Sequence, residues 1–244
     1  MKILTISDTH GKHNQLAPFP AVPIDMVIHA GDCTNVGTIE QVEEFLRWYG
    51  GLPMKYKVLI AGNHDFSFEK RPEACQDLCD KYGVTYLNDS GVTIEGINLY
   101  GSPVSPRFFD WAFNRARTKG EANLKFPYIG DHWSKIPTNT DILITHGPPY
   151  DILDSTVIGV KTGCMALARK IKKTNCKLHV FGHIHESKGL SFNRKTGAYY
   201  VNASCLDERY NPTNYHFVFD WDQVKVGFST GNDLIYHCKR GTIK

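Results

Sequence analysis

No run of apolar residues in this 244-residue sequence approaches the ~20 that a helix needs to cross a bilayer, so no helical membrane span is expected. Charge of one sign is scarce as well: 28 Lys and Arg against 25 Asp and Glu leave only +3. So small a surplus argues against a surface built for nucleic acid or anionic lipid. The one compact basic run, Lys170 to Lys173, sits in a helix-like stretch and reads as a solvated face. The start of the chain, Met1 to Asp8, has neither the apolar centre nor the cleavage site of a secretory leader and reads as a first strand. Repeats, low-complexity tracts and long linkers are missing. A disulfide framework is missing too. The seven cysteines are odd in number and irregular in spacing, and Cys75 with Cys79 makes only two ligands, too few for a zinc site. Reduced, buried cysteines and a cytoplasmic setting are expected. With 41% hydrophobic and 22% charged residues, disorder is excluded, and the length suffices for a full core.

What the chain does have is short β-branched runs ending in polar or glycine-bearing turns. Strands are expected at Lys2–Ser7, Asp25–Ala30, Lys57–Ala61, Asp141–Thr145, Lys177–Phe181, Tyr199–Val201 and His216–Phe219. Helices are expected from Thr38, as N-cap, through Tyr49, over Arg71–Tyr82 with Pro72 in the first turn, and over Gly163–Lys173. Val92–Tyr100 reads as a hairpin around Glu95-Gly96, and the chain is strand-rich from about Leu190. Strands alternating with helices imply parallel pairing. The expected fold is an α/β sandwich of two mixed β-sheets flanked by helices. One domain over 1–220 is expected, with a strand-rich extension over 221–244 packed on it. That extension has strand-like Gln223–Phe228 and Asp233–Cys238 around Gly231-Asn232. Pro103–Pro137 has no period, and such long irregular segments are often functional.

Histidine is abundant, with eleven in all, and its placement is informative. Polar clusters follow five of the expected strands: Ser7-Asp8-Thr9-His10-Gly11, His29-Ala30-Gly31-Asp32, Gly62-Asn63-His64-Asp65, Thr145-His146-Gly147-Pro148-Pro149 and Gly182-His183-Ile184-His185. Strand ends of an open α/β sheet face one crevice, so these clusters converge. Asp8, His10, Asp32, Asn63, His146, His183 and His185 supply seven ligands of a type suited to Mn, Fe, Zn, Ni or Co. That is more than one tetrahedral ion uses, and a carboxylate shared between two ions would employ them all. Of the other histidines, His29 and His64 fall in these clusters and the rest lie outside them. His29 reads as core or as support for the site, His13 as exposed loop, and His132, His179, His216 and His237 as structural.

Asp-x-His, Gly-Asp, Gly-Asn-His-Asp, a lone His-Gly and Gly-His-x-His, in that order, resemble the calcineurin-like metallophosphoesterase superfamily. Ile60–His64, Ile142–Pro149 and Val180–Glu186 are most similar to its MPPED-type subfamily. The resemblance spans roughly residues 1–220. It implies that Asp8, His10 and His185 hold one metal, that Asn63, His146 and His183 hold a second, and that Asp32 bridges them. It further implies that His64 faces the substrate with Asp65 orienting its ring. The two ions, Mn by the family's habit, would activate a shared water for in-line attack on a phosphoester. The phosphate-clamping arginines of Ser/Thr protein phosphatases are missing. Cys33-Thr34 follows Gly31-Asp32, and Phe181 precedes Gly182. The expected substrate is a small phosphodiester or nucleotide, particularly a cyclic nucleotide, with no membrane and no nucleic-acid partner and with the oligomeric state left open. The alternatives are a nuclease and a non-catalytic scaffold of the same fold. Arg107, Trp111 and Asn114 in the irregular segment are candidate substrate contacts. Cys33, Asn35, Asn202 and Ser204 stand as lesser candidates around the same turns.

Overall fold

Alternation along the central strands sorts the apolar residues into three layers of core. The computed structural model describes residues 1–230 and 233–236. In chain order its strands are β1 (Lys2–Ile6), β2 (Met26–Ala30), β3 (Tyr56–Ile60), β4 (Thr85–Tyr86), β5 (Ser90–Ile94), β6 (Ile97–Ser102), β7 (Ser105–Pro106), β8 (Asn114–Arg115), β9 (Ile142–Thr145), β10 (Leu178–Phe181), β11 (Gly189–Asn193), β12 (Ala198–Asn202), β13 (Tyr215–Asp220), β14 (Lys225–Thr230) and β15 (Asp233–Tyr236). Its helices are α1 (Ile39–Gly50), α2 (Phe66–Lys70), α3 (Pro72–Lys81), α4 (Ile129–Ser134) and α5 (Met165–Ile171). One sheet runs β15-β14-β13-β1-β2-β3-β4 and the other β11-β12-β10-β9-β6-β5. Each is mixed. β1, β2, β3 and β4 are parallel while β13 joins β1 antiparallel. β6, β9, β10 and β12 are parallel, with β5 and β11 antiparallel at the edges.

Side chains alternate across a strand, so odd and even positions feed different layers. Ile3, Met26, Ile28, Val58 and Ile60 meet Ile142, Ile144, Leu178, Val180 and Val201 between the sheets. The opposite faces, Leu4, Val27 and Leu59, pack under α1 through Val42, Phe45 and Leu46 and under α3 through Cys75 and Cys79. On the far side Leu143 and Phe181 lie under Trp133 of α4 and Leu167 of α5. Strands buried on both faces read as continuous apolar runs, which is why they were visible in the sequence.

Boundaries shift by a residue or two. Thr38 does cap α1, its hydroxyl accepting from the Gln41 N–H at 3.3 Å. Glu95 and Gly96 both take positive φ (49° and 78°), the mirror-image turn that two-residue hairpins favour. The helix expected over Gly163–Lys173 starts at Met165, with the Cys164 sulfur capping it. The irregular segment holds α4 and the short parallel pair β7 and β8. Beyond residue 220, β14 pairs antiparallel with β13 and β15 with β14, in the first sheet. Gly231-Asn232, His237 and Cys238 lie outside the described residues. Among the described residues no helix is long and apolar enough to cross a membrane.

Candidate metal centre

Because β1, β2 and β3 are parallel, as are β9, β10 and β12, the turns leaving their C-terminal ends meet along one edge where the two sheets adjoin. A parallel bridge from Ser7 to Ser204 joins the sheets there. The turn after β1 runs beside the turn after β2, with Asp8 N–H donating to Gly31 C=O (2.9 Å) and His10 N–H to Asp32 C=O (3.0 Å). Asp8, His10, Asp32 and His183 all hold positive φ (53°, 42°, 55° and 70°), a conformation that costs non-glycine residues energy and clusters at functional sites.

All seven residues read as ligands are brought together. Three overlapping clusters form: Asp8 with His10 and His185, His10 with Asp32 and His64, and Asp32 with His146 and His183. Asp32 belongs to two of them. Its Oδ1 accepts the His64 N–H at 2.8 Å, which leaves Oδ2 facing His146 Nε2 at 3.3 Å and His10 Nε2 at 3.7 Å. The Asp8 carboxylate accepts the His183 N–H at 3.0–3.1 Å and the Ser204 hydroxyl at 2.8 Å, and its Oδ1 lies 3.5 Å from His185 Nε2.

Outer partners fix the tautomers, and this tests whether the site suits cations. A carbonyl only accepts, so His146 Nδ1–H donates to Ala30 C=O (3.0 Å) and His185 Nδ1–H to Asp207 C=O (2.9 Å). The neutral rings then turn bare Nε2 lone pairs inward. His146 Nε2 faces Asn63 Oδ1 at 2.8 Å and Asp32 Oδ2, and His185 Nε2 faces His10 Nε2 at 3.3 Å and Asp8. Acceptors facing acceptors in a buried space need a cation between them, a proton or a metal. The donor set, carboxylate, amide oxygen and imidazole, fits divalent first-row ions. Burial alone would lower both histidines, but Asp32 carries His146, and Asp8 carries His185, to about 9. Burial raises the pKa of Asp8 and Asp32, yet the facing histidines pull both well below the usual carboxylate range. Burial lowers His183 to about 3 and His10 to about 4.

The motif glycines have a steric reason. A Cβ on Gly62 would stand 2.2 Å from Asp32 Oδ1, and one on Gly182 would stand 1.9 Å from Asp8 Oδ2. Each carboxylate occupies the space a side chain would take.

His64 enters half-buried. Its Nδ1–H donates to Asn35 C=O (2.8 Å), its ring edge meets His10 (4.6 Å), and the Trp111 indole lies against it at 4.1 Å and 30°. One expectation is corrected here. Asp65 does not orient the His64 ring. Its buried carboxylate turns away and accepts from the N–H groups of Gly62 (2.8 Å), Thr34 (2.9 Å) and Cys33 (3.2 Å) and from the Thr34 hydroxyl (2.6 Å). Three donors of the neighbouring turn and the Gly62 N–H of its own turn outcompete one ring nitrogen, and the Asn35 carbonyl takes the orienting place. Of Arg107, Trp111 and Asn114, only Trp111 reaches the site. Asn114 is buried and holds its own loop, donating to Phe108 C=O and Phe109 C=O at 3.3 and 3.0 Å. Arg107 lays its guanidinium on the Phe126 ring at 4.3 Å. Asn202 and Ser204 support Asp8, the Asn202 Oδ1 accepting the Ser204 N–H at 3.2 Å. His29 supports the β2 turn, its Nδ1 accepting the Gly31 N–H at 3.2 Å.

Three residues went unnoticed in the sequence. Tyr210 sets its ring 4.9 Å from His10 and 5.2 Å from His185. Asp207 acts on His185 through its main-chain oxygen, which no residue type announces. Lys188 is buried behind Asp8, its Nζ donating to Ser204 C=O at 2.7 Å, and burial brings it down to about 8.

Residues 1–187 match the family model for the calcineurin-like phosphoesterase domain. The chain belongs to this family. Metallophosphoesterase domain-containing protein 1 of Homo sapiens is 36% identical over 242 residues, spanning 90% of this chain and 70% of the human protein. The UPF0046 protein K07C11.7 of Caenorhabditis elegans is 35% identical, over 84% of this chain and 69% of its own. Among solved structures, TT1561 of Thermus thermophilus superposes with a TM-score of 0.63 at 14% identity, covering 94% of this chain and 98% of the other. That likeness concerns the fold. Family and site together make the chain a metal-dependent phosphoesterase, with ligand clusters suited to divalent ions.

Proposed function

We propose that this phosphoesterase is a dinuclear phosphodiesterase for small phosphodiesters, cyclic nucleotides among them. The observation that carries the reading is the run of inward-facing acceptors from Asp8 and His185 through His10 and Asp32 to His146, Asn63 and His183, with outer carbonyls fixing the rings. Asp8, His10 and His185 would hold one ion, Asn63, His146 and His183 the other, and Asp32 Oδ2 would serve both. Two bound divalent ions, Mn in our reading, supply a low-pKa water and neutralise phosphoryl charge. The chain's own part lies around them. The Asn35 carbonyl and the Trp111 face hold the His64 ring with Nε2 free to meet a phosphoryl or leaving oxygen. As the imidazolium, with a second proton on Nε2, His64 would give that proton to the leaving oxygen and lower the cost of breaking the ester bond. Ser204 and Asn202 keep Asp8 in place. The six cysteines among the described residues are unpaired and buried, which supports a reducing, cytoplasmic setting.

The test is turnover of bis-p-nitrophenyl phosphate and of 2′,3′- and 3′,5′-cyclic nucleotides by protein stripped and reloaded with Mn, beside Asp32→Ala. Metal-dependent hydrolysis abolished by Asp32→Ala is the expected result, and the preferred ring names the substrate. Two bound ions without hydrolysis of any of these would overturn the substrate class. Failure to bind metal would overturn the mechanism and leave a scaffold.

A further inference from the structure

A cavity of about 240 Å³ opens beside the His146/His183 end of the metal centre. It is lined by Pro106, Phe108, Pro148 and Ile184, together with the half-buried His183 and the exposed Arg117. The lining is continuous with the site because Pro148 follows His146-Gly147 and Ile184 lies between His183 and His185. The apolar walls suit an uncharged face. Arg117 Nη1 donates to Thr162 C=O at 3.2 Å, and among the described residues no carboxylate pairs with its guanidinium. Arg117 thus brings further guanidinium donors to the cavity lining. The volume falls below the range for drug-sized ligands, so it suits a ring system and not an extended chain. His64 shares a cluster with His10 and Asp32, whereas His183 shares one with Asp32 and His146, and the cavity lining includes His183 but not His64.

We propose that this cavity seats the ester substituent that stays on phosphorus, and that the group it takes is a planar aromatic ring. The inference rests on the proposed phosphodiesterase reaction, in which His64 faces the leaving oxygen. In an acyclic diester the other ester group then points toward His183. Phe108 is half exposed at the cavity wall, so truncating it removes a face from the pocket without opening the core.

The test compares phenyl p-nitrophenyl phosphate with methyl p-nitrophenyl phosphate on Mn-loaded protein. Both release p-nitrophenolate and differ only in the retained group. The wild type is expected to favour the phenyl ester by about tenfold in kcat/KM, mainly through KM. Phe108→Ala is expected to reduce that ratio several-fold. No preference in the wild type, or an equal ratio in the variant, would overturn the proposal. If neither ester is hydrolysed, the phosphodiesterase reading fails by itself. Calorimetry with phenylphosphonate and methylphosphonate then decides the pocket. Tighter phenylphosphonate binding that weakens in Phe108→Ala supports it, and equal affinities overturn it.

Discussion

Among single residues, His64 is the one whose removal should separate chemistry from metal retention. Its Nδ1–H is committed to the Asn35 carbonyl, and its bond to Asp32 comes from the main-chain N–H, which alanine keeps. His64→Ala should lower kcat by ~10²–10⁴-fold with the metal content per chain unchanged, measured by elemental analysis beside steady-state rates. An unchanged kcat would remove the residue from the reaction. The facing pairs also set a pH dependence. His146 and His185 sit at about 9 in the metal-free fold, above the ~6.5 of an unfolded histidine. The stability they contribute is therefore complete below ~6.5 and is lost as pH rises through about 9. Thermal unfolding of chelator-treated protein should fall between pH 7 and 9, whereas Mn-loaded protein should not follow it. Metal uptake should release protons across the same window. The candidate ligands that the fold brings together were legible in the sequence because carboxylate, amide and imidazole announce themselves by type and position. Asn35 and Asp207 were not, since a main-chain carbonyl is the same on every residue. Asp65 was legible as important and misread in direction, because its partners are amides of a turn whose path the sequence does not display.

Elements were legible where period or burial was strong. α1 carries Val42, Phe45, Leu46 and Tyr49 on one face and a Thr at its start, so both stripe and cap could be read. Thr38→Ala should cost about 1 kcal/mol, seen as a lower denaturation midpoint with an unchanged slope, because one N–H of the first turn loses its acceptor. A loss near zero would mean that water replaces the hydroxyl fully. α2 and α4 escaped the sequence for the opposite reason. At five and six residues they are too short to show a helical period, and packing determines them. Ile129 and Trp133 of α4 are buried against the second sheet, a tertiary fact that the surrounding Arg, Lys and aromatic residues disguise.

For the whole molecule, the metal centre is a seam. Asp8, Asp32 and Asn63 leave the first sheet, while His146, His183 and His185 leave the second, and each proposed ion site draws on both. Elsewhere the sheets meet mainly through non-directional apolar packing of residues such as Ile28, Val58, Ile144 and Val180. Bound ions would therefore add directional links where the two layers adjoin, and they bind the assembled edge far better than an unfolded chain that scatters the same ligands over residues 8–185. Mass action converts that preference into stability, about 2.7 kcal/mol for each site filled at a hundredfold excess over its dissociation constant. Mn-loaded protein should melt several degrees above chelator-treated protein, by an increment that grows with metal concentration. Asp32→Ala should lose most of that increment, because it removes the one carboxylate oxygen that faces both clusters. His64→Ala should keep it, because His64 leaves every ligand in place. If the two variants lost the increment equally, His64 would be a ligand rather than a group that faces the substrate. If neither lost it, the ions would be binding somewhere other than this seam.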